Sequence, residues 1–263
     1  MMHIKENIRE LGEKTLSFIE YSGASFLLFL DTVSKMFQRP FRVRQTLSQI
    51  IKIGNSSLPI VSLISLFTGM VLALQSAYQM QKISAEMYIA SLVALSMTRE
   101  LGPVLTALIV AGRCGAAISA EVGTMKVTEQ IDAMETMGTN PVNYLVVPRF
   151  WAMIISLPIL TIYADCIGML GGYIVGHYKL GITKHLYQSM TFEPLTNKDI
   201  YSGLLKSLIF AVLICIISCY EGLHTKGGAE GVGKATTESV VRSFILIIAS
   251  DCIITAILYF IGA

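Results

Sequence analysis

The sequence is poor in charge: Asp, Glu, Lys and Arg make up only 14% of its 263 residues, whereas hydrophobic residues make up 53%. Soluble globular domains carry about 25% charged residues. The charges that are present are clustered, which leaves long uncharged runs between them. The composition therefore excludes an ordinary soluble domain and indicates an integral membrane protein.

Signatures of catalysis and of metal or nucleic-acid binding are also missing from the sequence. Neither GxSxG nor HExxH occurs, the four histidines are scattered, and the five cysteines form no CxxC pair. No basic stripe with interleaved aromatic residues indicates nucleic acid. We therefore expect no catalytic residues, no metal site and no nucleic-acid partner.

What the sequence does contain is a set of five long apolar runs. A helix of about 20 apolar residues spans the hydrocarbon core of a bilayer. The runs lack the alternation of polar and apolar side chains that barrel strands show, so helices are indicated. We predict an all-α polytopic membrane protein with about five transmembrane helices. The runs are Leu58–Ala77, Met87–Ala111, Phe150–Gly176, Gly203–Tyr220 and Ser243–Gly262.

Lysine and arginine are distributed unevenly around these runs: eight precede the first run and none follows the last. Basic residues concentrate on the cytoplasmic side, so the N-terminus is predicted to be cytoplasmic and, with five spans, the C-terminus periplasmic. Residues 1–52 are predicted to form amphipathic helices on the inner leaflet. The apolar stretch Leu16–Leu30 leaves a sixth, tilted span as an alternative.

One run resembles a nucleotide-binding loop without its essential parts. Residues 228–235 read GAEGVGKA, close to the P-loop pattern GxxxxGK[ST], but Ala235 replaces the hydroxyl that would hold Mg²⁺. The run also follows a membrane helix rather than a strand. We predict a cytoplasmic loop here, with the last helix beginning near Thr236.

The second span contains two charged residues near its middle, followed by a proline. Pro103 cannot donate a backbone hydrogen bond to Arg99, so the helix is predicted to kink or break. Charges are costly in lipid, and these two indicate a polar cavity or a subunit interface. Adjacent residues point about 100° apart on a helix, so Arg99 and Glu100 are expected to face different partners. A purely structural ion pair is the alternative.

Three further ionisable residues lie within predicted spans: Lys206, Asp165 and Asp251. Lys206 could snorkel to the headgroups, and Asp251 could be a neutral acid. Pairing of Lys206 with Glu100, or of Arg99 with Asp251, is open at this stage.

The segment Glu121–Gly138 between the second and third spans has the pattern of a short amphipathic helix. Gly138 can end it. Such a helix could lie on the membrane or dock into a groove on a soluble partner. The apolar face comprises Val122, Met125, Ile131 and Met134, and the polar remainder comprises Lys126, Glu129, Asp132 and Glu135.

Several short motifs follow one another along the chain. They are Gly69-Met-Val71 with Gln75, Arg99-Glu-Leu-Gly-Pro103, Ala111-Gly-Arg113, Ala120-Glu-Val-Gly123, Thr128-Glu-Gln130, Met134-Glu135, Pro148-Arg-Phe-Trp151, Leu205-Lys-Ser207 and Ala235-Thr-Thr237. In this order they resemble the MlaE family of ABC-transporter permeases. The resemblance covers nearly the whole chain beyond the first ~50 residues, so residues 53–263 are identified as an MlaE-type transmembrane domain.

The resemblance implies a function that periodicity cannot give. Such permeases pair as homodimers in the bacterial inner membrane, bind a cytoplasmic ABC ATPase, and join a periplasmic MCE-domain lipid-binding protein; a small STAS-domain subunit is a further partner. The complex moves phospholipid between the inner and outer membranes of Gram-negative bacteria. The permease is then a non-catalytic subunit without a cofactor, since its partner binds ATP.

The resemblance also assigns roles to residues. The segment 121–138 would be the coupling helix, and two sets of residues follow from this. The lipid-binding set is Leu72, Gln75, Gln79, Arg99, Glu100, Lys206 and Asp251. The ATPase-coupling set is Glu121, Met125, Lys126, Glu129, Ile131, Met134 and Glu135.

Two other functions remain possible from the residues alone. An ion- or proton-coupled carrier would use Asp165, Asp251 and Glu100 as its relay. A membrane scaffold or enzyme without a transport role is the third hypothesis.

Overall fold

A computed structural model describes residues 2–38 and 41–261, and throughout this part of the chain the regular structure is helical. Five helical segments are long and apolar enough to span a membrane: Val43–Met80, Glu86–Val127, Val142–Tyr178, Asn197–Leu223 and Gly228–Phe260. The predicted all-α fold with five spans is confirmed. The α-helices are α1 (Met2–Lys35), α2 (Val43–Met80), α3 (Ile89–Ser96), α4 (Gly102–Val110), α5 (Ala116–Val127), α6 (Gln130–Thr136), α7 (Val147–Tyr178), α8 (Lys184–Phe192), α9 (Asn197–Leu223) and α10 (Gly228–Ile261).

The second span consists of α3, α4 and α5 joined by two π-helical turns, Met97–Leu101 and Ala111–Gly115. Pro103 lies in the first turn of α4, where a missing N–H costs least. The Gly102 N–H bonds to the carbonyl of Met97, one residue farther back than in an α-helix. The predicted interruption is therefore present as a π turn, and the helix continues through it.

Small residues let α2 and α7 approach closely. A Cβ on Gly69 would overlap the backbone carbonyl of Gly168, and a Cβ on Gly171 would overlap that of Leu66. The backbones of α2 and α7 thus meet without side chains between them, which is the small-residue packing typical of membrane helices. Gly172 of α7 instead makes room for side chains, because a Cβ there would lie 2.7 Å from the Tyr187 hydroxyl and 2.8 Å from Val93 Cγ1.

The N-terminal segment differs from the prediction at its boundary. Residues 43–52, predicted to belong to the interfacial segment, are the first turns of α2, so the boundary predicted at residue 52 lies inside a continuous helix. Preceding them, α1 packs against the bundle through Tyr21 on Tyr220 and Phe29 on Phe150, with ring centroids 4.9 and 6.3 Å apart. The side chains of residues 2–15 lie outside the described part, so the amphipathic character of that stretch stays a prediction.

The last span also begins earlier than predicted. The P-loop-like run was predicted as a loop with the helix starting near Thr236, but α10 begins at Gly228 and includes it. Gly227 and Gly228 have φ values of +90° and +69°, a conformation that glycine adopts without steric cost. They make the turn between α9 and α10 so tight that little loop remains.

Candidate functional site

A network of charged side chains lies where the second span meets α9 and α10. Lys206 of α9 is at its centre and is only 1% exposed. Its Nζ donates to Glu100 Oε2 at 2.5 Å and to Thr255 Oγ1 at 2.7 Å, and it forms an ion pair with Asp251 Oδ1 at 2.9 Å that lacks hydrogen-bond geometry. The predicted Lys206–Glu100 pair is present, whereas the snorkelling alternative is wrong because the ammonium points into the bundle.

Arg99 belongs to a second pair beside this network. Its Nε donates to Asp199 Oδ1 at 2.5 Å, so the open alternative of an Arg99–Asp251 pair is wrong. Asp199 in turn caps α9: its Oδ2 accepts from the backbone N–H and the hydroxyl of Thr196, both at 2.8 Å. The capping box therefore holds the Asp199 carboxylate in the position at which Arg99 binds it. The π turn directs Arg99 and Glu100 to different partners, as predicted.

A polar cavity of about 130 Å³ opens beside both pairs. The buried ends of the pairs, Asp199 and Lys206, are 4% and 1% exposed, whereas Arg99 and Glu100 are 52% and 41% exposed. Arg99 therefore keeps donors free at the mouth of the cavity, where they can bind an anionic group. The lining residues are Arg99, Glu100, Lys198, Asp199, Ser202, Lys206, Thr255, Leu258 and Tyr259.

At the other end of the second span, the predicted coupling helix is two helices. α5 ends at Val127, Glu129 adopts a left-handed φ of +58°, and α6 then runs from Gln130 to Thr136. Gly138, with a φ of +73°, ends the segment as predicted. The single helix predicted over 121–138 is therefore wrong, and Lys126 Nζ closes the bend by donating to Asp132 at 2.6 Å.

The bend also reverses the predicted docking face. Val122 and Ile131 are buried, and Met125 and Met134 pack against the main core, so this apolar face points into the bundle. What projects outward is a polar surface with one large apolar side chain, Met137, which is 74% exposed. We call this surface the tip; it comprises Thr128, Glu129, Gln130, Asp132, Ala133, Glu135, Thr136, Met137 and Gly138.

Behind the tip, an ion-pair cluster ties three spans together. Arg149 of α7 is 5% exposed and donates to Glu121 of α5 at 3.0 Å and to the carbonyl of Leu145 at 2.7 Å. Lys52 of α2 reaches the same carboxylate at 3.3 Å. Glu121, assigned to ATPase coupling by resemblance, is thus engaged within the bundle.

Comparison with known proteins agrees with this geometry. The family described as "Permease MlaE" matches residues 46–257. The chain belongs to the MlaE permease family. It is 38% identical over 258 residues to the "Intermembrane phospholipid transport system permease protein MlaE" of Haemophilus influenzae, covering 96% of this chain and 97% of that one.

Two further relatives show how widely this MlaE-type chain is matched. A "Probable ABC transporter permease protein" of Rickettsia typhi is 47% identical over 254 residues, which are 96% of this chain and 98% of the relative. The chloroplastic protein TRIGALACTOSYLDIACYLGLYCEROL 1 of Arabidopsis thaliana is 37% identical over 262 residues, which are 97% and 75% of the two chains.

The remaining residues of the MlaE-type lipid-binding set lie on one face of α2 but differ in exposure. Gln75 and Gln79 are exposed one helical turn apart, whereas Leu72 is half-buried against a cluster that includes Ala73 and Met97. In the described part of the chain, no hydrogen bond joins either glutamine to the Lys206 network. They line a separate surface of the bundle.

Asp165 does not join the relay proposed for a carrier. It lies buried in α7 against Gly102, and its Oδ1 has no hydrogen-bond partner among the described residues. Neither Glu100 nor Asp251 contacts it through a hydrogen bond or an ion pair in that part of the chain. Asp165 is therefore separate from Glu100 and Asp251, which share Lys206 as their partner.

Sequence reasoning missed two members of the network, Asp199 and Thr255. Asp199 lies at the start of α9, just before the predicted span Gly203–Tyr220. The capping pattern Thr196-x-x-Asp199 is the signal that could have located it. Thr255 has no such signal, because an intramembrane threonine usually bonds its own helix.

Proposed function

We propose that the chain is the permease subunit of an ABC transporter that moves phospholipid between the inner and outer membranes of a Gram-negative bacterium. The family membership and the name of the Haemophilus relative support the cargo class. The observation that carries the proposal is the polar cavity at Arg99 and Glu100 within an otherwise apolar bundle. Such a cavity suits a cargo with a charged head and apolar tails.

The subunit works as a homodimer in this proposal. Within an apolar stretch of 18 residues in each span, only 28% is buried in α2 and 11% in α10, whereas 67% is buried in the span that contains α7. Arg99 and Glu100 also present partly exposed charge within the membrane. A second copy would cover charges that lipid cannot solvate, with Gln75 and Gln79 of α2 beside the lipid path.

Energy enters from a separate subunit. The permease itself is non-catalytic and carries no cofactor; a cytoplasmic ABC ATPase binds ATP and contacts the tip, where Glu129, Asp132, Glu135 and Met137 face outward. A periplasmic MCE-domain protein receives or supplies lipid at the opposite end, and a STAS-domain subunit is a further cytoplasmic partner. The N-terminus is then cytoplasmic and the C-terminus periplasmic.

A complementation experiment tests the transport role. A Gram-negative strain that lacks its own MlaE-type permease should recover outer-membrane lipid asymmetry when this chain is expressed with its cognate ATPase. The double variant Glu100→Gln/Asp251→Asn should fail to restore asymmetry while still reaching the membrane. Full restoration by that variant would show that the polar network does not act on the cargo.

A docking experiment tests the tip. Met137→Asp places a charge on its exposed apolar side chain, so co-purification of the ATPase should fall at least tenfold, as expected when one buried apolar anchor is lost. Met87→Asp is the matched control, because Met87 is 40% exposed near the opposite end of the second span. Equal recovery of ATPase with both variants would contradict docking at the tip.

A further inference from the structure

An apolar groove lies where α1 ends and where α2 and α7 begin. Its volume is about 500 Å³, within the range of small-molecule binding sites. Several large apolar side chains that border it are exposed, among them Phe37, Phe41 and Leu47 at 69%, 55% and 53%. The lining residues are Met36, Phe37, Gln38, Phe41, Arg42, Val43, Thr46, Leu47, Ile50, Asn143, Val147, Pro148, Trp151 and Ile155.

The groove lies at one end of two spanning helices, and we place the lipid headgroups at this level. It is formed by the first turns of two spanning helices, Val43–Met80 and Val142–Tyr178, at the same end of the bundle. Trp151 packs edge-on against Phe37, with ring centroids 6.2 Å apart. Tryptophan and other aromatic residues with arginine are typical of the membrane–water boundary.

Among the described residues that line the apolar space, one is a cation, Arg42. The Arg42 guanidinium stacks over the Tyr144 ring, 4.2 Å from its centroid, and its Nε has no hydrogen-bond partner among the described residues. The described lining residues include no carboxylate, whereas Gln38, Thr46 and Asn143 add polar groups. Apolar walls with a cation at the water boundary complement an acyl chain joined to a phosphate.

We propose that this groove binds a phospholipid of the inner leaflet, with an acyl chain against Leu47, Ile50 and Trp151 and the headgroup phosphate on Arg42. The site is distinct from the cavity at Arg99 and Glu100, and binding needs neither ATP nor the ATPase. The bound lipid fills the space between α1 and the bundle and holds the two together. The proposal does not rest on the transport function.

Photocrosslinking tests the site. The full-length permease in nanodiscs would be exposed to phosphatidylglycerol with a photoactivatable acyl chain, and the labelled peptides would be mapped. Labelling should concentrate in peptides that contain residues 36–50 and 147–155. Diacylglycerol with the same acyl chain should label these peptides roughly tenfold less, as expected when a charge-assisted hydrogen bond is lost, and inorganic phosphate should not compete.

Variants test the contacts of the headgroup and of the acyl chain separately. Arg42→Gln should lower labelling about as much as removal of the phosphate, Arg42→Lys should retain most of it, and Leu47→Trp should abolish it by filling the groove. Ile245→Trp, on a 61% exposed side chain of α10 away from the groove, is the control and should change nothing. Unchanged labelling in both Arg42→Gln and Leu47→Trp would overturn the proposal. Loss of labelling when the ATPase binds would assign the groove to that protein instead.

Discussion

Lys206→Met removes the ammonium at the centre of the network and leaves Glu100 and Asp251 without their cation. Lys206 is 1% exposed, and breaking a buried ion pair in this way costs about 3–5 kcal/mol. Both acids are only partly buried, with exposed fractions of 41% and 21%, so a value near the lower limit applies. We expect the free energy of unfolding to fall by about 3 kcal/mol.

The assay is reversible unfolding of the purified permease in mixed micelles, followed by far-UV circular dichroism. The triple variant Lys206→Met/Glu100→Gln/Asp251→Asn removes all three charges and should recover stability to within about 1 kcal/mol of the natural chain, because neutral groups of similar volume replace the buried ions. A single variant as stable as the natural chain, or a triple variant as unstable as the single one, would refute the ion-pair argument.

The same triple variant separates folding from function. It keeps the shape of the cavity but removes the three charges of the Lys206 network, so under the proposed function it should fold and assemble yet fail to restore outer-membrane lipid asymmetry. Restored asymmetry would show that these charges serve stability alone.

Two further predictions concern packing and the base of the tip. Gly69→Ala should lower the yield of folded permease, because its Cβ would overlap the Gly168 carbonyl. Gly54→Ala has open space around it and should be neutral or stabilising by up to about 1 kcal/mol in the same unfolding assay. Equal effects of the two variants would contradict the close contact between α2 and α7. Arg149→Met should lower the free energy of unfolding by about 3 kcal/mol, because it leaves the Glu121 carboxylate without its buried partner. Lys52→Met should lower it by less than about 1 kcal/mol, because Lys52 is 54% exposed. Similar losses in the two variants would contradict the argument from burial.

The spans could be predicted from sequence because length and hydropathy are local properties, but helix ends could not. α2 and α10 continue into polar sequence, since neighbouring helices rather than lipid stabilise their outer turns. The apolar runs begin at Leu58 and Ser243, yet the helices begin at Val43 and Gly228. The transmembrane limit and the helix limit are different physical boundaries.

The sequence predicted which charged residues belong to the candidate site better than it predicted which of them form ion pairs. Intramembrane charge is expensive, which identified Arg99, Glu100, Lys206 and Asp251 as a group. The choice of Asp199 for Arg99 depends on a contact across 100 positions that no local pattern records.

The tip was misread for another reason. A helical period continues through residues 121–138, although the chain bends at Glu129 in a conformation that non-glycine residues seldom adopt. The helical period therefore identified the apolar residues correctly, but these side chains pack into the bundle and not against a partner.

The length of the second span has a mechanical consequence. Its 42 residues from Glu86 to Val127 extend about 63 Å as a helix, roughly twice the thickness of the hydrocarbon core. One continuous helical rod thus contains Arg99 and Glu100 within the membrane and ends beside the tip, outside the membrane. The π turns at Met97–Leu101 and Ala111–Gly115 interrupt the α-helical hydrogen bonding of that rod, and the second of them lies between the tip and the residues Arg99 and Glu100.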